Sequence, residues 1–398
     1  MDNPTDPRPP SSRLRIVADA NIPGAESAFG GLGRLIRLPG EAVSREVLCD
    51  ADVLLVRSVT RVDTALVAGT PVRFVGTATA GTDHLDLADL AARGIATASA
   101  PGSNATSVVE YVLAALLALA ADRGATLSGQ TLGVVGAGEV GRRLVPRARA
   151  LGLEVVVCDP PRAEAGHADH AYLSLADLLA ASDIVTLHTP LTDAGRFATR
   201  GLVGREALAA MRPGAWLVNA ARGGVVDGRA LLDARDRLGA LVLDCWPGEP
   251  APDSALVAAA NIATPHIAGY SADGKRAGTA MLAAALRTWM ASEGLGAPAP
   301  WAGADVREAV VVEAPPAAES AAAWLDALQR QAYSVRADDA RFRAAMAGAI
   351  PSTRAAAFSE LRRTYPVRRE NAAAVVRGVV PAALRQAVTD GLGMRLGA

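Results

Sequence analysis

Short β-rich runs that alternate with helix-length segments predict an α/β chain built on parallel sheets. The apolar runs are continuous, as in strands covered on both faces, rather than alternating. A length of 398 residues with 51% apolar residues suits two or three domains with sizeable cores. The expectation is two doubly wound parallel-sheet domains followed by a small α+β unit at the C-terminus.

The Pro-rich start, "MDNPTDPRPPSSR", has no apolar core and reads as a disordered tail over residues 1–12. "LRIVAD", "DVLLVRS" and "RFVGTAT" then read as strands, and "HLDLADLAARG" as a helix that ends at Gly94. The run from Val108 to Ala121 is the most apolar, but it carries Glu110 and is too short to span a bilayer. It reads as a buried helix. A second series follows: "TLGVVGAGEVG", "LEVVVCDP", "SDIVTLHTP", "GAWLVNAARG", "ALVLDCWP" and "NIATPHIAG". These make about six strands, the usual size of a sheet. A long helix is expected from Ala272 to Ser292, and the Ala/Pro/Gly-rich residues 296–304 read as a linker. From residue 305 a third unit opens with the strand-like "REAVVVEAP" and continues in Ala- and Arg-rich helices.

Composition removes several function classes. A formal net charge of −1 without a basic block argues against nucleic-acid or membrane-surface partners. Cys49, Cys158 and Cys245 lie far apart with no C-x-x-C pair, so neither a disulfide framework nor a metal site is expected. A reducing, cytoplasmic setting fits.

The chemistry-bearing residues recur where strands end. Gly136, Gly138 and Gly141 form G-x-G-x-x-G directly after a strand and at a helix start. There backbone N–H groups can cradle a pyrophosphate. Asp159 ends the next strand, 21 positions after Gly138, where a carboxylate meets the ribose hydroxyls of NAD and repels the 2′-phosphate of NADP. "VNAARGGVVD" delivers Arg222, a guanidinium suited to gripping a carboxylate and polarising a carbonyl. "LVLDCWPGEP" ends a strand at Asp244 and holds Glu249 in a Pro-Gly-Glu-Pro turn, and "IATPHIAGYS" supplies His266. An imidazole backed by a carboxylate can move a proton near neutral pH. Asp244 is expected nearer the nicotinamide. His188 is expected to line the cofactor crevice, with Thr189 towards the adenosine. His84, at a helix start, and His167 and His170, flanking Asp169 in a polar loop, offer weaker candidates.

In order and spacing these signatures resemble the D-2-hydroxyacid dehydrogenase family. The resemblance implies catalysis by Arg222, Glu249 and His266, with NAD contacts at Asp159, Thr189, Ala220, Ala221, Arg222, Asp244 and Gly269. A narrower likeness, to the erythronate-4-phosphate dehydrogenase branch, is carried by "LLVRSVTRVDTALVAGTPVRFVGTATAGTDHLD", "APGSNATSVVEYV", "VCDPPRA", "HIAGYSADGKRAGT" and "YSVRADDARFR". It implies substrate contacts at Ser58, Thr79 and Tyr270. It also implies a substrate-binding domain (13–102 and 270–295), a Rossmann-like NAD-binding domain (103–269) and a C-terminal dimerisation domain (305–398). Ser103 stands where this branch is expected to carry Cys, a change that keeps a small polar side chain.

The reading is therefore NAD-dependent oxidation of 4-phospho-D-erythronate in pyridoxal 5′-phosphate synthesis, by a homodimer acting on a small phosphorylated sugar acid. A dehydrogenase for another 2-hydroxy acid such as phosphoglycerate, and an NAD-sensing interaction protein, are the alternatives. The apolar stripe of "AAAWLDALQRQAY" is expected to be covered by a twin copy. Arg368 and Arg369 are expected as solvated surface charges, or else as residues reaching a partner's active-site mouth.

Overall fold

In the computed structural model the described residues are 14–296, 301 and 309–397. The expected tail (1–12) lies outside them, as does most of the expected linker (296–304), of which Gly296 and Trp301 are described. The described chain forms two compact units, one of residues 14–104 and 273–296, the other of 105–272 and 309–397.

The first unit is built on five strands: β1 (Leu14–Asp19), β2 (Gly33–Leu38), β3 (Val53–Val56), β4 (Phe74–Thr77) and β5 (Ala96–Ala98). They lie in the order β2-β1-β3-β4-β5 with every pair parallel. The central strands β3 and β4 are buried at every residue, which is why their sequences are apolar without alternation. The helix Ala272–Ser292 sends Leu282, Leu286 and Trp289 into this core, with the Trp289 ring 5.3 Å from Phe74. Strands β2 and β5 had no apolar run to announce them. The first is broken by the exposed Arg34 and Arg37, and the second is three residues of "ATA".

The second unit holds β6 (Thr131–Val135), β7 (Glu154–Cys158), β8 (Ile184–Leu187), β9 (Trp216–Asn219), β10 (Ala240–Leu243) and β11 (Ile262–Ala263). All pairs are parallel, in the order β11-β10-β9-β8-β6-β7. A single parallel bridge, Val157 to Tyr172, continues the sheet beyond β7. Counting it as a vestigial strand restores the doubly wound dinucleotide-binding order, in which the chain reverses direction between β6 and β8. Ligand crevices open at such a reversal, outside the carboxyl ends of the strands.

The C-terminal residues belong to this same compact unit. Strands β12 (Val310–Glu313), β13 (Ala374–Arg377) and β14 (Arg395–Leu396) form a small parallel sheet. Between β12 and β13 lie the helices Ala321–Ala332, Val335–Met346 and Pro351–Arg363. The stripe of Ala321–Ala332 is already covered within the chain: Trp324, Leu325 and Leu328 join one core with the helix Ala105–Arg123. A twin copy is not needed to bury it.

The helix Ala105–Arg123 is thus apolar all round because it is enclosed all round. It is the one described helix long and apolar enough to cross a membrane, and most of that stretch is buried inside the unit. Its Glu110 lies between Arg147 and Arg368, each 3.7 Å away, yet burial still pushes the carboxyl up to about 8. Arg368 is therefore not a solvated surface charge. It is 5% exposed, donates to the carbonyls of Ala268 and Ser107, and stacks 3.6 Å from the Tyr333 ring centroid.

Leu328→Ala should lower stability by about 2–5 kcal/mol, the range for a large buried side chain cut to a methyl. Leu328 is fully buried in the core shared with the helix Ala105–Arg123. Chemical denaturation should therefore show destabilisation; an unchanged midpoint would mean that the C-terminal helices do not brace this unit.

Candidate active site

The site is assembled by the ends of strands. After β6 the chain turns through Gly136, whose φ is 96°, into the helix Gly141–Ala150. A Cβ on Gly141 would sit 2.0 Å from the Gly136 carbonyl oxygen, so this position tolerates only hydrogen. Gly138 differs: nothing lies within 4 Å of where its Cβ would be, leaving the loop open for a phosphate to approach the backbone. Asp159, at the end of β7, spans the loop. Its Oδ2 accepts from the Ala137 N–H at 2.8 Å, and its Oδ1 caps the next helix at the Arg162 N–H. Each oxygen keeps a lone pair for a ribose hydroxyl.

The segment after β8 carries His188 and Thr189. His188 Nδ1 and Thr189 Oγ1 are buried without hydrogen-bond partners, while His188 Nε2 meets Thr186 Oγ1 at 2.9 Å. Burial lowers the His188 pKa to about 3, so the ring stays neutral. Two orphaned polar atoms beside an open glycine loop are what a nucleotide crevice needs. The residues present fit NAD.

Arg222 follows β9. Asn219 holds its peptide through bonds from Nδ2 to the Arg222 carbonyl and from the Ala221 N–H to Oδ1. Ala220 is partly exposed in the same turn and Ala221 is buried. A Cβ on Gly223 would fall 1.9 Å from the Trp246 carbonyl oxygen, so the Arg222 turn and the Glu249 turn touch backbone to backbone.

His266 Nδ1 lies 2.7 Å from Glu249 Oε2, and Glu249 Oε1 accepts from the Trp246 N–H at 2.7 Å. Burial would raise the Glu249 carboxyl, but the His266 charge, its hydrogen bond and the Trp246 N–H outweigh it, and the pKa lies below the ordinary value. His266 is also the only described non-glycine residue with positive φ, 57°. Such backbone needs enforcing. Asp244 enforces it. Its carbonyl accepts the His266 N–H at 2.8 Å, and its carboxylate takes the Ile267 and Ala268 N–H groups and the Thr264 hydroxyl, at 2.7–2.9 Å. The Asp244 carboxylate thus lies buried beneath the histidine turn. Gly269 and Tyr270 extend the same segment, both partly exposed.

Cys245, Glu249 and His266 bring possible ligand atoms within 4.8 Å of one another. Burial and the Asp244 and Glu249 carboxylates push the Cys245 thiol well up, and it donates to the Ala221 carbonyl. A protonated thiol is a poor metal ligand. The donor set suits proton transfer instead.

In the first unit, Ser58 is exposed just beyond β3, and Thr79 is half-buried just beyond β4. Thr79 Oγ1 bonds Thr77 Oγ1 at 2.7 Å, and His84 Nε2 bonds the same Thr77 at 3.0 Å, so His84 supports the Thr79 turn. His167 is exposed, and His170 stands at the edge of an Arg162–Asp169–Tyr172 cluster. Three residues carry geometry the sequence did not single out. Thr264 and Tyr111, whose hydroxyls meet at 2.7 Å, complete the Asp244 network, and Arg362 lies over Tyr270. Thr264 adjoins "PH" and was within reach of sequence reasoning. Tyr111 in an apolar helix and Arg362 among several arginines were not.

Because the folded Glu249 pKa is depressed, its contribution to stability is fully present above the ordinary carboxyl value near 4.3 and is lost as pH falls through the folded value. Glu249→Gln should therefore melt below the wild type at neutral pH, and the two curves should converge in acid. A constant gap across that window in a pH series of thermal midpoints would contradict the charge pairing.

Comparison with known proteins agrees with this geometry. Residues 115–268 match the family described as D-isomer specific 2-hydroxyacid dehydrogenase, NAD binding domain, and residues 312–391 match a domain of unknown function, DUF3410. The chain is 50% identical to the erythronate-4-phosphate dehydrogenase of Salinibacter ruber over 394 residues, covering 96% of this chain and 99% of that one. It is 50% identical to that of Pseudomonas aeruginosa over 366 residues, covering 90% and 93%. Among solved structures, the TT0316 protein from Thermus thermophilus superposes with a TM-score of 0.59 at 28% identity, over 72% of this chain and 99% of that one. The D-lactate dehydrogenase of Aquifex aeolicus shares the fold, with a TM-score of 0.60 at 24% identity over 70% and 96%. This chain belongs to the erythronate-4-phosphate dehydrogenase family and is an NAD-dependent D-2-hydroxyacid dehydrogenase.

Proposed function

We propose that this enzyme oxidises the C2 hydroxyl of 4-phospho-D-erythronate to 3-hydroxy-2-oxo-4-phosphobutanoate, a step of pyridoxal 5′-phosphate synthesis. The observation that carries the chemistry is the Glu249–His266 pair. With the Nδ1 proton donated to Glu249, His266 Nε2 is a bare lone pair, the form a general base requires. Nε2 takes the C2 hydroxyl proton. Glu249, ionised at neutral pH, stabilises the imidazolium that results. Arg222 grips the C1 carboxylate and stabilises the carbonyl oxygen as it forms. NAD, when bound, supplies the hydride acceptor for C2. Gly136, Gly138 and Gly141 would hold its pyrophosphate and Asp159 its ribose hydroxyls. Thr189, Ala220, Ala221, Asp244 and Gly269 would line the remainder. Ser58, Thr79 and Tyr270 are the substrate contacts of this reading. Its setting is the cytoplasm, where the free thiols Cys49, Cys158 and Cys245 stay reduced.

Steady-state turnover of 4-phospho-D-erythronate with NAD tests the reading. His266→Ala should lower kcat by roughly 10²–10⁴, the span of general acid–base catalysis, with NAD affinity kept. An unchanged rate removes the mechanism; activity on 3-phosphoglycerate alone removes the substrate.

The reading includes a homodimer joined through the C-terminal sheet. Its support is apolar surface left outside the core, with Val311 46%, Val367 84% and Val379 86% exposed. Light scattering should give a dimer for the wild type and a monomer for the double variant Val367→Glu, Val379→Glu. A monomeric wild type, or a double variant that still dimerises fully, rejects this surface.

A further inference from the structure

The C-terminal helices brace the site's loops, and one of them also points a charge toward it. The last turn of Pro351–Arg363 carries two arginines of contrasting situation. Arg363 is exposed and paired with Glu360 at 2.7 Å. Arg362 turns inward. Its guanidinium carbon lies 5.5 Å from the Tyr270 ring centroid and 5.8 Å from that of Phe358, and its Nε is buried without a hydrogen-bond partner. Among the described residues it makes no hydrogen bond or ion pair. Its inward-facing neighbours are all tied down: Arg343 to Asp339 and to the Val257 and Ala260 carbonyls, Arg354 to the Pro252 and Ala349 carbonyls, Arg368 to the Ala268 and Ser107 carbonyls.

A partly desolvated cation with no carboxylate at ion-pair distance is under-compensated, so its retention points to a further anion that arrives later. Its position says which. Tyr270 is the fourth residue after His266, and its N–H bonds the Ile267 carbonyl at 2.8 Å, so its ring is fixed to the histidine turn. The Arg362 charge also helps to lower the Glu249 carboxyl, and with Arg222 it acts on the Cys245 thiol. Arg222 and Arg362 are thus two cations beside the same proton-transfer pair. A four-carbon substrate with a carboxylate at C1 and a phosphate at C4 presents two anions. Arg222 is assigned to the first.

We propose that Arg362, held over Tyr270 by the C-terminal helix, binds the substrate's phosphate and makes the enzyme selective for phosphorylated hydroxy acids. The assignment rests on the reading of the substrate given above. A planar guanidinium meets a phosphate through two parallel hydrogen bonds, and Tyr270 supports it from behind. The residue is a specificity determinant, and the C-terminal region becomes part of the substrate site of its own chain.

The test compares kcat/KM for 4-phospho-D-erythronate and for D-erythronate in the wild type, R362Q and R362K. In R362Q the ratio of the two should fall by roughly ten- to a hundredfold, the range of a charge-assisted hydrogen bond, chiefly through KM for the phosphorylated substrate. R362K keeps the charge without the fork and should fall between; if R362Q does not fold, R362K alone must still lower the ratio. An unchanged ratio, including equal losses on both substrates, overturns the proposal and leaves Arg362 a packing residue. If the wild type does not oxidise 4-phospho-D-erythronate, the substrate reading fails by itself. The arginine is then judged by calorimetric binding of inorganic phosphate to the NAD-loaded protein: binding weakened in R362Q supports an anion site, and equal binding rejects it.

Discussion

The geometry of the Glu249–His266 pair depends on one buried carboxylate. Asp244 ends β10, and its side chain gathers the Thr264 hydroxyl and the Ile267 and Ala268 N–H groups, while its own carbonyl takes the His266 N–H. Burial pushes the Asp244 carboxyl up, with the His266 charge and these hydrogen bonds pulling it back. The bonds hold His266 in left-handed backbone that a side chain rarely adopts. That conformation aims Nδ1 at Glu249. The Asp244 carboxylate at the end of β10 therefore acts through backbone shape, and the Glu249 carboxylate, five residues later, acts through charge.

Around this turn the C-terminal helices form a brace. Asp339 accepts the Ala263 N–H at the start of the histidine segment, and Arg343 and Arg354 bond the carbonyls on either side of the preceding helix. Phe342 packs 5.4 Å from Trp246, whose indole N–H donates to the Thr264 carbonyl. These contacts fall on Trp246 and Pro252 beside Glu249, on the helix Ser254–Ala259 and on β11, the segments that flank the Glu249 and His266 turns. Loops at strand ends are where a scaffold is least rigid. Removing backbone freedom there keeps the 2.7 Å Glu249–His266 contact in register. The same brace brings Arg362 to Tyr270.

The nucleotide side follows a different economy. Its crevice comes from topology, where β6 and β8 part company, and from glycines that keep backbone close to backbone. Few side chains are committed. Asp159 already holds the glycine loop through Ala137, so the carboxylate proposed to meet the ribose also shapes the turn.

Much was legible from the chain alone. Parallel α/β sheets follow from continuous apolar runs such as "VLLV" and "ALVL", because a strand covered on both faces has no polar side to show. The glycine loop and the ordered series of Arg222, Glu249 and His266 follow from local spacing, since each motif is set by the backbone within a few residues. Strands β2, β5, β13 and β14 escaped because they are short or carry exposed Arg and Ala, and only their neighbours make them strands. Tertiary structure alone decided the rest. Sequence determined that an apolar stripe runs along Ala321–Ala332, but not that a helix some two hundred residues earlier in the same chain covers it. It determined that arginines crowd residues 354–369, but not that Arg368 is buried against Tyr333 while Arg362 is left over Tyr270. A local pattern records which side chains need burial or a counter-charge; which partner meets that need is settled only when distant segments pack.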